Sequence, residues 1–252
     1  SALGHISPGD SGAIIPSPVT YLPKSIAAAG SVLTMSASDL LRFADMHMNG
    51  GVSSAGSKVM SAEMAAQMQK AQVALLPHSR VGFNQMGLSW FIGDHADVRV
   101  IGHDGATAGQ WTYMQCLPER KVAYALLTNS PSAALSEEVR RYFFEKVAGL
   151  PVPSEPAPAS GTDDLDAYPG LYENIATNVE VRRSGAGLFM SVRPKRGDSG
   201  KRLEVALSPY SPSCFQIESK DPSLQGRLGF AGIADGRAQF VRLGVRLTRR
   251  VH

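Results

Sequence analysis

The stretch Val100-Ile101-Gly102-His103-Asp104-Gly105-Ala106-Thr107-Ala108-Gly109-Gln110-Trp111-Thr112 decides how the rest of the chain is read. An apolar, β-rich run leads into a histidine, and Gly105 and Gly109 then leave the backbone without side chains. Such a segment sets an imidazole beside a main chain that another group can approach closely. Taken alone, His-x-Gly is short enough to arise by chance, and a turn with a hydrogen-bonded histidine is the ordinary reading. The flanking blocks give it meaning.

Around this stretch, runs at Met86–Ile92, Val98–Ile101, Trp111–Leu117 and Val122–Leu127 predict strands separated by turns. The short Pro118-Glu119-Arg120-Lys121 connection predicts that the last two form an antiparallel hairpin. Upstream, Ser36 and Asp39 spell a capping box before a helix that carries Leu40, Leu41, Phe43, Ala44 and Met48 on one face and closes at Gly50-Gly51. Ser61 caps a second helix in which Met64, Ala65 and Met68 recur at helical spacing, a core stripe rather than a cofactor contact. Downstream, a helix over Ala134–Val147 turns Leu135, Val139, Tyr142, Phe143 and Val147 toward the sheet. Residues 1–30, interrupted by Pro8, Pro16, Pro18 and Pro23, predict an extended arm.

Pro151-Val152-Pro153-Ser154-Glu155-Pro156-Ala157-Pro158 reads as a stiff linker, so the chain divides into residues 1–150, a linker over 151–165 and a second domain over 166–252. That second domain shows short alternating runs at Asn178–Arg183, Gly187–Val192, Arg202–Leu207, Cys214–Ile217, Leu228–Ala231 and Ala238–Thr248. They predict a small antiparallel β-barrel with Tyr172, Val181, Phe189, Val205, Phe215, Phe230 and Phe240 turned inward. The fold class is therefore α+β: antiparallel strands with flanking helices, followed by a small antiparallel β-barrel.

Composition narrows the function classes. With 252 residues, 43% hydrophobic and 19% charged, the chain can bury a substantial core. No stretch approaches the roughly 18 consecutive apolar residues of a membrane span, and Gly, Pro, Asp and His interrupt the first twenty residues where a secretory apolar region would lie. The net charge of +3 has its basic excess in Arg182-Arg183, Arg193-Pro194-Lys195-Arg196 and Arg249-Arg250. These clusters are short and interleaved with acids, which predicts a solvated barrel surface and no nucleic-acid partner. Cys116 and Cys214 lie far apart in apolar runs and predict buried free thiols. The histidines lack metal-ligand spacing, so neither a metal nor a cofactor is expected.

Four blocks, in order, resemble the serine beta-lactamase-like family that includes class C beta-lactamases, D-aminopeptidases and related esterases. Ala28 through Phe43, containing Thr34, Ser36, Asp39 and Leu40, is similar to that family's Ala-Gly-Gly-x-x-Ser-Thr-Ala-x-Asp-Leu-x-x-Phe segment. Gly87-Leu88-Ser89-Trp90 resembles its Gly-Leu-Gly-Trp strand, and Gly102-His103-Asp104-Gly105 through Gly109 its Gly-His-x-Gly-x-x-x-Gly block. Leu117-Pro118-Glu119 through Leu126-Leu127-Thr128-Asn129 resembles the hairpin ending in Leu-Thr-Asn. The resemblance covers roughly residues 20–150. Tyr168-Pro169-Gly170-Leu171-Tyr172 is similar to the opening of the lipocalin-like barrel that follows the catalytic domain in some D-aminopeptidase-like members.

The resemblance implies a serine hydrolase acting by acyl transfer on a small-molecule or peptide substrate: an amide, peptide, ester or beta-lactam. It implies that His103 lines the site and orients a substrate carboxylate or the proton network, that Gly105 lets the acyl group lie against the strand, and that the Ala106 N–H donates to the oxyanion. It also implies a periplasmic or secreted location, with a cytoplasmic one left open. The family's Ser-x-x-Lys nucleophile motif is a departure: none of the eight lysines follows a serine by three residues. Tyr172-Glu173-Asn174 spells Tyr-x-Asn but lies after the His-x-Gly block, out of family order, and reads as a barrel strand. The chain is therefore expected to be the C-terminal part of such a hydrolase and inactive alone. A missing N-terminal catalytic segment or another chain is expected against an exposed edge and face of the sheet. The alternative is a non-catalytic protein that binds a ligand or partner.

Overall fold

The computed structural model describes residues 2–6, 13–19, 21–25, 32–76, 82–130, 132–154, 164–175, 177–195, 203–219, 226–244 and 246–251. The chain forms two compact units, residues 1–74 with 82–154, and residues 75–81 with 155–252. The fold is α+β with a closed antiparallel barrel in the second unit. Parts of the expected arm and of the linker fall outside the described residues.

In the first unit, the Ser36 hydroxyl accepts from the Asp39 N–H (3.2 Å) while the Asp39 carboxylate accepts from the Ser36 N–H (3.1 Å), closing the capping box of helix α1 (Ala37–Met48). Its inward stripe is Leu40, Ala44, His47 and Met48, at intervals of four, three and one. Leu41 and Phe43, expected on that face, flank it and stay exposed. Helix α2 (Ala62–Met68) is capped by Ser61 and buries Ala65, whereas Met64 points outward.

Six strands follow in one antiparallel meander: β3 (Val73–Ala74), β4 (Gln85–Met86), β5 (Phe91–His95), β6 (Val98–Thr107), β7 (Gln110–Leu117) and β8 (Val122–Thr128). A short hairpin, β1 (His5–Ile6) with β2 (Ile15–Pro16), precedes them. The expected strand over Met86–Ile92 is instead two strands with a tight turn at Gly87–Trp90. Gly87 forces that break, because a Cβ there would collide with the Met68 carbonyl oxygen, and Ser89 adopts φ = 67°. Strand β6, expected to end at Ile101, continues through His103 to Thr107.

The register Ile92↔Ile101↔Cys116↔Ala123 lays an apolar row under α1, where Ala44, Met48 and Trp90 complete the core. Phe91↔Gly102↔Gln115↔Tyr124 makes the opposite row, and Tyr124 meets Phe143 with ring centroids 4.9 Å apart. Helical segments therefore cover both faces, and the face expected to be bare is taken by α1. Strand β8 still has no second neighbour among the described residues. Helix α3 (Ala133–Tyr142) passes into a π-helical turn over Phe143–Ala148. The wider turn re-aims the side chains after it. Phe143, Phe144 and Ala148 are buried, while Leu135, Tyr142 and Val147, expected to face the sheet, are 42, 63 and 51% exposed.

In the second unit, β9 (Gly170–Glu173), β10 (Thr177–Ser184), β11 (Gly187–Pro194), β12 (Leu203–Ser211), β13 (Cys214–Glu218), β14 (Arg227–Ala234), β15 (Arg237–Leu243) and β16 (Arg246–Arg250) close into a barrel, β16 pairing back onto β9. The expected single run over Ala238–Thr248 is divided at Gly244, which has φ = 62°. Tyr172, Val181, Val205, Phe215 and Phe230 face inward as alternation predicts. Phe189 and Phe240 do not, because Leu188, Met190 and Val241 hold the inner positions of those strands. The interior is filled by packed side chains. Arg250 donates to the carbonyls of Ala238 and Ala167 and to the Tyr172 hydroxyl, tying the last strand to the first. Tyr172-Glu173-Asn174 opens the barrel, with Tyr172 fully buried. Both cysteines are free and buried. No helix among the described residues is long and apolar enough to cross a membrane.

Candidate active-site strand

His103, Gly105 and Ala106 all lie on β6, and all three are exposed. The reason is a mismatch in strand length. Strand β5 runs alongside β6 only from Val98 to Gly102, its first residue Phe91 standing opposite Gly102. Beyond that point the Gly87–Trp90 turn carries the chain away, Trp90 being drawn into the core beside His47, 5.1 Å between ring centroids, and beneath α1. On the other side β7 continues the ladder, pairing His103 with Met114, Asp104 with Tyr113, Gly105 with Thr112, Ala106 with Trp111 and Thr107 with Gln110. Past Gly102, β6 thus keeps β7 along one edge, while β5 has ended on the other. An unpaired strand edge is a template for an extended polypeptide or an amide.

The side chains fit that edge. His103 is steadied by Phe91, whose ring lies 5.3 Å from the imidazole at an interplanar angle of 28°. Phe91 is itself 4% exposed and packs on Phe83, 5.9 Å away. A Cβ at Gly105 would meet nothing within 4 Å, so no neighbour among the described residues requires glycine there. By contrast, a Cβ at Gly102 would come within 3.0 Å of the Gln115 side chain and the Phe83 ring, which makes Gly102 a packing glycine. Gly109, at φ = 91°, closes the β6–β7 hairpin, and a Cβ there would strike the main chain of Gly4 and His5. The amino-terminal arm is held at that hairpin: the His5 N–H donates to the carbonyls of Gly109 and Asn129, and the Asn129 amide donates to the Leu3 carbonyl.

Electrostatics separate this strand from the core around it. The Tyr124 hydroxyl is pushed up in pKa by burial, with the Asp104 carboxylate adding to the shift, so it stays protonated. The Cys116 thiol is pushed up to about 12 by burial and is inert as a nucleophile. Among the described residues no three His, Cys, Asp or Glu side chains converge as a metal site would need. Sequence reasoning placed His103, Gly105 and Ala106 on this strand but missed Phe91, the support of His103. The signal was present in Gly87 and Ser89, which announce the turn that puts Phe91 at the start of β5.

Residues 4–148 match the beta-lactamase family, and the chain belongs to it. Penicillin-binding protein 4 of Amycolatopsis lactamdurans is 35% identical over 162 residues, covering 63% of this chain and 42% of that protein. The crystal structure of SurE superposes with a TM-score of 0.69 at 22% identity, covering 99% of this chain and 55% of that one. A second structure, of SurE with D-Leu, gives a TM-score of 0.63 at 21% identity over 86% of this chain and 50% of the other. The chain thus spans about half the length of the proteins it matches, and the likeness to SurE extends over both units.

Proposed function

We propose that this chain forms one wall of a serine hydrolase site that transfers or hydrolyses an acyl group from an amide, peptide, ester or beta-lactam. The observation that carries the reading is the end of β5 opposite Gly102, which leaves His103, Gly105 and Ala106 exposed on β6, with His103 stacked on Phe91 and no described residue within 4 Å of a Cβ at Gly105. In this reading the substrate lies along that stretch of β6 and its acyl part passes over Gly105. The Ala106 N–H donates to the oxygen that gains charge as the carbonyl is attacked, an interaction worth about 10²–10³ in rate. His103 orients a substrate carboxylate or holds the proton network in place. The nucleophile and its base come from a segment bearing Ser-x-x-Lys, and that segment or another chain covers the free edge of β8 and the exposed Leu135, Tyr142 and Val147 of the helical segment over 133–148.

The test is reconstitution. The 252-residue chain is assayed with p-nitrophenyl esters, nitrocefin and D-alanyl amides, alone and with the polypeptide encoded upstream of Ser1. Activity and fluorophosphonate labelling are expected only in the mixture, since loss of a nucleophile costs a factor on the order of 10⁶. His103→Ala is expected to lower the reconstituted activity without loss of fold. A serine labelled stoichiometrically in the isolated chain would overturn the division of labour. An inert mixture that still binds these substrates would support a binding protein instead.

A further inference from the structure

The barrel carries a cavity in its wall that the acyl-transfer reading does not use. It measures about 640 Å³ and its lining includes Leu171 on β9, Asn178, Glu180 and Arg182 on β10, and Ser191 and Arg193 on β11, with Pro169 just before β9. That volume lies in the range of sites for small molecules and short peptides. Alternation accounts for its polar lining. Tyr172, Val179, Val181, Leu188 and Met190 point into the barrel, so Leu171, Asn178, Glu180, Ser191 and Arg193 point out. Ser191 is nevertheless 3% exposed and Leu171, Asn178 and Glu180 are half-buried, unlike a washed outer surface.

Charge in the cavity is unbalanced at one residue. Arg182 is satisfied by Glu204 at 2.7 Å and Glu180 at 3.5 Å, which also occupies the carboxylate inside the cavity. Glu173, the register neighbour of Asn178 on β9, is taken by Lys195 at 2.9 Å. Arg193 lines the cavity, is exposed, and pairs with no carboxylate among the described residues. It stands directly across from Asn178 in the ladder. The Asn178 side-chain oxygen is buried without a hydrogen-bond donor among the described residues, an unfavourable state for a polar atom.

A cation without an anion thus faces an acceptor without a donor, on residues directly opposite one another in two adjacent strands. One common chemical group supplies both complements at that spacing: the end of a peptide, whose carboxylate is separated from its own amide N–H by a single Cα. We infer that this cavity binds the C-terminal residue of a peptide or N-acylated amino acid, its carboxylate on Arg193, its N–H on Asn178 and its side chain against Pro169 and Leu171. The guanidinium fork matches a carboxylate in a way an ammonium does not. The site stands on the barrel alone and does not depend on the acyl-transfer reading.

The test uses the full 252-residue chain, ¹⁵N-labelled, titrated with N-acetyl-Ala-Ala and with its C-terminal amide, at constant ionic strength. Saturable shifts are expected for the amides of Leu171, Asn178, Ser191 and Arg193 with the acid, with the C-terminal amide binding at least tenfold more weakly. Arg193→Gln should abolish the preference for the acid and Arg193→Lys should weaken it. Asn178→Ala should weaken both ligands. Because Arg193 is exposed, its substitution leaves the spectrum of the barrel core in place. Equal binding of acid and amide, acid binding unchanged in Arg193→Gln, or no shift at these residues at millimolar ligand would each overturn the proposal. None of these outcomes bears on hydrolysis, so failure here is distinct from failure of reconstitution.

Discussion

Phe91 and His103 stack across the end of the β5–β6 ladder, one ring 96% buried and the other at the surface. The pair joins a core residue to a candidate site residue, and the two substitutions should separate. Phe91→Ala removes a buried aromatic and is expected to cost about 3–5 kcal/mol. His103→Ala removes an exposed ring and is expected to change stability by no more than about 0.5 kcal/mol. Urea denaturation of both variants checks this, and a large loss from His103→Ala would show that the imidazole is a structural residue.

Gly105 and Gly93 provide a second contrast. A side chain at 105 meets open space on an extended strand, so Gly105→Val should leave the melting temperature unchanged or raised. The same substitution is expected to reduce reconstituted activity at least a hundredfold, since the valine would occupy the space reserved for the acyl group. At Gly93 any Cβ would collide with the Gly82 carbonyl oxygen, so Gly93→Ala should destabilise the sheet. Thermal melts of both, with esterase assays of the first, are the measurements.

His47 governs the acid limb of stability. Its ring is 2% exposed, lies edge-on to Phe43 and Trp90, and has no hydrogen-bond partner on either nitrogen among the described residues. Burial lowers its pKa from the ordinary 6.5. The unfolded chain therefore binds this proton more readily than the folded one. The stability present above 6.5 is progressively lost as pH falls below that value, by at most about 1.4 kcal/mol per pH unit for one proton. Denaturation curves between pH 7.5 and 5 should show the loss, and His47→Leu should remove that component. An unchanged pH slope in the leucine variant would assign the effect elsewhere.

The Ser36–Asp39 box holds the start of the helix that roofs the sheet. Ser36→Ala is expected to cost about 1 kcal/mol, the usual worth of an N-cap, while Ser36→Asn should recover most of it. Chemical denaturation of the two variants is the measurement, and equal stabilities would mean that the box contributes nothing beyond the packing of α1.

Local signals in the chain were strong where one residue type imposes one geometry. Ser36 and Ser61 announced two helix starts, Pro118-Glu119-Arg120-Lys121 announced a hairpin, and the spacing of Tyr172 to Phe230 announced a barrel. What stayed hidden depends on how elements end against one another. The π-helical turn at Phe143 is not encoded by helical periodicity, which is why Val147 was expected to point inward. Aromatic character misled at Phe189 and Phe240, where smaller neighbours fill the interior and the pleat sends the rings outward. The histidine and glycines of the candidate site are legible in the motif itself. The open edge that makes them useful is not, because it follows from where the neighbouring strand stops.

The pairing of Glu173 with Arg249 and of Tyr172 with Arg250 makes the second unit a ring fastened by its two ends. Such a ring has no order of assembly in which it is partly finished and already edge-free. During synthesis the first strand stays exposed until β16 has been made, and the long sequence separation of that contact makes it slow to find. The sheet of the first unit is a run of neighbour-to-neighbour hairpins and needs no such closing pair. Closure is therefore the last step in building the barrel, and deletion of β16 would leave it as an open strip with two sticky margins.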